Sequence, residues 1–176
     1  MKRLFLSFLI LGCLVVSGCG YTAHSALPPR LKTIYVDHFV NNIDFTTQAH
    51  RTVYFPLLEV KARDALIKRY QFDGSLKVVD SPEDADLILK VTLKRYERDA
   101  LRYTDSNDVQ EFRVNVIVDM SLYDTAKKEY MWEKNGFAGE ATFFRTGPKA
   151  ASEESAVQDA VVDLARRIVE KTIENW

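Results

Sequence analysis

Cysteine is nearly absent from this chain: among 176 residues only Cys13 and Cys19 occur, both near the start. No disulfide framework, thiol nucleophile or cysteine metal site can be built from the residues after Cys19. Histidine is almost as scarce. His24, His38 and His50 are the three, and none stands at metal-ligand spacing from another. His38 reads as a part-buried strand residue rather than a catalytic base. Neither charge is in excess, with 24 Lys and Arg against 25 Asp and Glu, which excludes a strongly basic nucleic-acid binder. There is no glycine-rich phosphate loop and no Gly-x-Ser-x-Gly. Asp105-Ser106-Asn107-Asp108 starts like a calcium loop, but Gln110 stands where glycine is needed and Val116 where glutamate is needed. It reads as a polar turn. A nucleophile, base or metal held in reach cannot be assembled, so the chain reads as a non-enzyme without a cofactor.

The most structured pattern that is present comes first. Lys2 and Arg3 precede an apolar run over residues 4–16, which ends in Val16-Ser17-Gly18-Cys19. Basic, apolar and small residues in that order make a secretory signal, residues 1–18. The run is too short to span a bilayer, which takes about 20 residues. An aliphatic, two small residues and a cysteine resemble the lipobox of bacterial lipoproteins. That resemblance implies cleavage before Cys19, a diacylglycerol thioether on Cys19 and acylation of the new amine. The thiolate is the strong nucleophile such a bond requires. An ordinary signal peptide with a chance cysteine is the alternative. Acyl chains anchor by roughly 0.8 kcal/mol per buried methylene, and one chain alone is marginal. Gly20 stands where an aspartate would mark inner-membrane retention, so the resemblance implies an outer-membrane address. Loss of Lys2 and Arg3 with no acid moves the formal charge from −1 to −3.

Residues 19–32 read as a lipidated tether, with Pro28-Pro29 favouring an extended backbone. Residues 33–176 read as a single α+β domain. The alternation over 33–39 predicts a first strand with Ile34, Val36 and His38 on one face, and 40–54 an ordered loop. Leu58, Ala62, Ala65 and Leu66 predict a helix over 56–70, with Pro56 in its first turn. A short strand over 76–79, a strand over 86–97 and a polar connection over 99–108 come next. Residues 109–124 alternate most clearly, with Phe112, Val114, Val116, Val118, Met120 and Leu122 on one face. Residues 129–140 form its hairpin partner and 141–151 a loop. Ser152 is a good N-cap for a terminal helix ending near Trp176. The expected fold is a two-layer sandwich: a mostly antiparallel or mixed sheet of four to five strands with both helices on one face.

Lys90, Lys94, Arg95, Arg98 and Arg102 cluster on one strand and the connection after it. Lys90, Lys94 and Arg98 share a parity, so they are expected on the face opposite the core. Lys90, Lys94, Arg98 and Arg102 could there meet the phosphates of an anionic lipid, where Arg binds as a fork. Lysines guarding an edge strand would produce the same pattern.

Several stretches in order resemble the LPS-assembly lipoprotein family, LptE. They are Cys19-Gly20-Tyr21, the run from Thr33 through Asn41, Val78-Val79, Ala85-Asp86-Leu87-Ile88-Leu89, and Tyr96. Tyr103, Glu111-Phe112-Arg113-Val114 and Leu122-Tyr123-Asp124 are next, then Ala156, Ala160, Leu164, Ala165, Ile168, Val169, Ile173 and Trp176. The resemblance implies a two-helix, four-stranded sandwich sitting as a plug in the outer-membrane β-barrel LptD. It implies help in assembling that barrel, with lipopolysaccharide as a candidate ligand. Ala85-Asp86-Leu87-Ile88-Leu89 also resembles outer-membrane lipoproteins that activate a periplasmic cell-wall synthase or form a secretion assembly.

The lipobox reading is checked by Cys19→Ala. The variant should accumulate as uncleaved precursor or leave the outer-membrane fraction, as followed by gel mobility and membrane fractionation. Normal processing with unchanged partition would refute it.

Overall fold

The computed structural model describes residues 27–43 and 55–174. The signal segment, Cys19, most of the expected tether, the stretch 44–54 and Trp176 lie outside the described residues. Strands β1 (Thr33–Val36) and β2 (Val40–Asn41) come first. Helix α1 (Leu58–Asp73) and strand β3 (Lys77–Val78) are next. A 3-10 turn (Pro82–Asp84) leads into β4 (Leu87–Tyr103), β5 (Val109–Asp124) and β6 (Glu129–Phe144), and helix α2 (Glu153–Glu174) closes the chain.

The strands form one mixed sheet in the order β3-β1-β4-β5-β6, with β2 also paired to β4. β1 runs parallel to β3 and β4, so the chain must cross over between β1 and β3, and α1 is that crossover. β4, β5 and β6 are antiparallel neighbours joined by tight turns. Both helices cover one face, as the sequence predicts. Val114, Val116 and Val118 are fully buried beneath them, with Leu164 and Ile168 above. α1 contributes Leu58, Ala62, Leu66 and Tyr70, a repeat of four residues, and Gly74 at φ 77 ends it with an N–H to the Tyr70 carbonyl. Ser152 caps α2 by accepting from the Ser155 N–H at 3.1 Å. The two helices are tied where the Tyr70 hydroxyl meets Thr172 Oγ1 at 2.8 Å, and burial raises the Tyr70 pKa.

The first strand departs from the expected alternation. β1 and β2 both lie along β4, separated by Asp37, His38 and Phe39. The interruption reverses the facing. Phe39 is buried and the His38 side chain is 84% exposed, so His38 is not the part-buried residue expected. Arg63 of α1 accounts for the break, since its guanidinium donates to the Val36 and Asp37 carbonyls at 2.9 and 3.2 Å. The polar connection expected over 99–108 is also mostly strand. β4 runs on to Tyr103, and the turn is confined to the residues between Thr104 and Asp108, with Asn107 at φ 67. β6 likewise continues to Phe144, past the predicted end at 140.

The folded unit begins upstream of Thr33, for Leu27 and Leu31 are buried in the common core. Arg30 makes a two-pronged ion pair with Asp124, whose carboxylate is fully buried and also accepts from the Ala126 and Lys127 N–H groups. The bonded guanidinium holds the Asp124 carboxyl below the usual carboxylate range. Asp86 accepts from the Lys32 and Thr33 N–H groups at 2.8 and 2.9 Å.

Gly139 of β6 decides how low α2 sits. A Cβ there would clash with the Ala160 carbonyl oxygen and with Leu164 Cβ. At that height Asp163 of α2 accepts from the Glu140 N–H at 3.1 Å, and Arg167 donates to the Ala138 carbonyl at 3.3 Å. Backbone groups on the free edge of β6 are thereby occupied. Gly139→Ala should raise β propensity yet cost about 1–3 kcal/mol by overpacking, lowering Tm by roughly 2–4 °C for each kcal/mol. A melting curve unchanged or shifted upward would show that the helix can lift at no cost.

Candidate functional site

Because both helices lie on one side, the other face of the sheet is uncovered. On β4, Leu87, Leu89, Val91 and Leu93 are buried inward, so Ile88, Lys90, Thr92 and Lys94 point outward. The register then slips. Leu93 pairs with Val118 and Arg95 with Ile117, leaving Lys94 as the extra residue of a β-bulge. Beyond it Tyr96 pairs with Val116 and Arg98 with Val114, so both sit on the helix face.

Arg98 therefore does not share a face with Lys90 and Lys94, contrary to the parity of the sequence. Its guanidinium donates to Glu153 Oε2 at 2.6 Å, and the Tyr96 hydroxyl donates to Oε1 at 2.6 Å. The same guanidinium lies 5.0 Å from the Phe112 ring centre. Burial, then the carboxylate of Glu153, raise the Tyr96 pKa, so the phenol stays a donor. Glu153 is the first residue of α2, where an acid suits the helix dipole. Arg98 thus holds the start of α2 to the sheet.

A second register slip, between Ala100 and Arg102, returns Arg102 to the outer face opposite Glu111. Its Nε lies 3.6 Å from a Glu111 oxygen and its guanidinium 5.9 Å from the Phe144 ring centre. Lys94 lies 3.7 Å from Asp119, which also accepts from the Gly136 N–H at 2.9 Å. Lys90 has no carboxylate within ion-pair distance among the described residues. It lines a shallow depression of about 300 Å³ with Thr92, Asp119, Ser121, Glu133 and Asn135. The four predicted cations are thus divided: Lys90 and Lys94 together mid-face, Arg102 at the far end of the hairpin, Arg98 under α2.

Two further outward pairs complete the face, Arg95 with Glu97 at 3.0 Å and Arg113 with Glu140 at 3.9 Å. Tyr123 and Tyr130 stack edge-to-face at its lower end, with centroids 5.3 Å apart. The sequence reading missed Arg145 and Lys149. The loop after β6 brings both to the Arg102 end of the sheet, because the Arg145 N–H bonds to the Gln110 carbonyl and Ala150 bridges to Phe144. The available signal was an exposed cation on each side of Gly147-Pro148. Cations and acids alternate across this surface, with Ile88, Tyr123, Tyr130 and Phe144 among them, so it carries no large field of one sign. Among the described residues no three His, Cys, Asp or Glu side chains are placed to hold a metal ion, and no helix is long and apolar enough to cross a membrane.

The fold recurs in solved structures. A protein of Xanthomonas campestris has TM-score 0.57 at 13% identity, over 85% of this chain and 88% of that one. A minor lipoprotein of Acinetobacter baumannii has TM-score 0.52 at 14% identity, over 84% of this chain and 95% of that one. A hypothetical protein of Chlamydia trachomatis has TM-score 0.52 at 11% identity, over 81% and 95%. At such identities the likeness is one of fold alone. A comparison with curated proteins gives no match. The class these observations define is a small α+β sandwich with two helices on one face of an open sheet. The family model described as LptE, lipopolysaccharide-assembly, matches residues 31–172, and the chain belongs to that family.

The division of the cations has a direct check. Arg98→Ala should destabilise the fold by about 1–3 kcal/mol, because it leaves the part-buried Glu153 carboxylate without its cation and with only the Tyr96 hydroxyl. Lys90→Ala should stay within about 0.5 kcal/mol. Equal melting temperatures for the two variants would contradict the assignment of faces.

Proposed function

We propose that this chain is an outer-membrane lipoprotein, anchored through acylated Cys19, that sits within the barrel of LptD and helps it assemble. Family membership supports a role in lipopolysaccharide assembly, and the uncovered sheet face carries the finer reading. That face is charge-mixed and backed by two helices. The lumen of an outer-membrane barrel is itself polar and water-filled, so a surface of paired and hydrated charges fits it without burying unmet ions. Lipopolysaccharide is the ligand we assign to the outward cations Lys90, Lys94 and Arg102. Arg98 enters this reading only through the position it gives α2. A phosphate bonded by such cations gains roughly 1.5–3 kcal/mol per charge-assisted contact.

Two measurements test the proposal. The full chain, tagged at its C-terminus and isolated from detergent-solubilised membranes, should bring down a large β-barrel. Recovery of a penicillin-binding protein in its place would favour the cell-wall synthase reading and overturn this one. Changing Lys90, Lys94 and Arg102 together to Glu should weaken lipopolysaccharide binding by at least about tenfold, the equivalent of 1.4 kcal/mol. Melting temperature should change little, because the three side chains are on the exposed face. Unchanged binding would remove the outer face as the lipid site.

A further inference from the structure

Between the two helices lies a groove of about 530 Å³, remote from the outer sheet face. Leu58 and Ala65 of α1 and Val157, Val161 and Val162 of α2 make its apolar lining. Val162 is 62% exposed and marks the open side. The charged rim is uneven. Lys61 is 3.9 Å from Glu154 and so answered. Asp64 sits midway along α1. Lys68 and Arg69 line the groove one turn further on, with no carboxylate in ion-pair distance among the described residues. Arg69 Nε is buried and has no acceptor, while its guanidinium lies 5.4 Å from the ring centre of Phe72. Arg69 as a whole is half-buried and lines the groove, so with Lys68 it makes that end positive and without a carboxylate partner among the described residues.

We propose that this groove binds a long-chain fatty acid, with the acyl chain on the valine and leucine floor and the carboxylate on Arg69 and Lys68. The volume is that of a site for one drug-sized ligand, in the range of about 300–1,000 Å³, and suits a single chain rather than a lipid with several. Asp64 repels a carboxylate from the middle of the groove and so fixes the head at the Arg69 end. The site stands apart from Lys90, Lys94 and Arg102, and it does not rest on the function proposed above.

The test uses the full chain in phosphatidylcholine nanodiscs, photolabelled with a diazirine analogue of palmitic acid or with the matching fatty alcohol. Adducts are mapped by peptide mass spectrometry. The acid should label peptides from α1 and α2 around Leu58, Arg69 and Val161. The alcohol should label them about tenfold less, the size of one charge-assisted contact. Val162→Asp, at an exposed position, and Arg69→Gln should each lower labelling by the acid to a similar degree. Val60→Asp is the control, because Val60 is 47% exposed on α1 but outside the groove, and its labelling should match the unaltered chain. Equal labelling by acid and alcohol overturns the proposal, as do unaffected labelling in the two groove variants and the absence of adducts. Chemical cross-links between copies at Lys61 and Lys68, with no adducts, would assign the groove to self-association and overturn it as well.

Discussion

The close approach of α2 to β6 sets the form of the rest. The helix presents Ala156, Ala160, Leu164 and Ile168 to the sheet, all nearly or fully buried. At Gly139 there is no side chain to hold it off. That low seat lets Asp163 and Arg167 reach the free edge of β6. It also places Glu153 where Tyr96 and Arg98 can grip it. A long edge strand is an open template for unwanted pairing. Here a helix already required by the core closes part of that edge, and the opposite sheet face is left free for a partner.

How legible this is depends on how regular the local pattern is. β5 carries an uninterrupted alternation from Phe112 to Leu122, so its buried face can be read directly. The helices are legible because Leu58, Ala62 and Leu66, and Val157, Val161 and Leu164, recur at the helical spacing. β4 is harder. Its residues are as strand-like as those of β5, but an extra residue at Lys94 and another near Leu101 reverse the facing twice. A period-two argument assigns every side chain beyond a bulge to the wrong face. That is why parity groups Arg98 with Lys90, and why the strand reads as ending before Asp99. His38 is misread for the same reason, through the interruption that Arg63 stabilises. No residue type marks these slips in isolation, since each is settled by a partner distant in sequence. Gly139 is one of two glycines in β6, and only the packing of α2 distinguishes it from Gly136.

The candidate site shows a parallel limit. Residue type identifies the cations, but only tertiary placement tells which are already answered. Lys94, Arg95, Arg102 and Arg113 each lie within 4.0 Å of an acid supplied by a neighbouring strand or residue. Exposed pairs of this kind contribute roughly 0–1 kcal/mol to stability. They therefore cost little to rearrange when a partner or a phosphate arrives.

The clasp at the start of the folded unit bears on how such a domain could be held. Arg30 on Asp124 and the Asp86 bonds fix residues 30–33 to the bottom of β4 and the β5–β6 turn. Asp124 and Asp86 both have lowered pKa values. Burial opposes ionisation most strongly at Asp86, and the N–H donors of Lys32 and Thr33 outweigh it. Groups lowered in the folded state stabilise it above the usual carboxylate range and lose that effect as pH falls through their folded-state values. Near neutrality the clasp is closed. For the proposed anchor at Cys19, its sequence separation from Leu27 allows at most about 26–29 Å. The strand β4 starts at that end and runs for 17 residues, roughly 50 Å. A short leash at one end of a long sheet leaves Arg102, Arg145 and Lys149 at the other, farther from the anchor than the roughly 25 Å apolar band of a barrel is tall. In the proposed arrangement, a domain built in this way is tied to the inner leaflet and still places those cations within the barrel lumen.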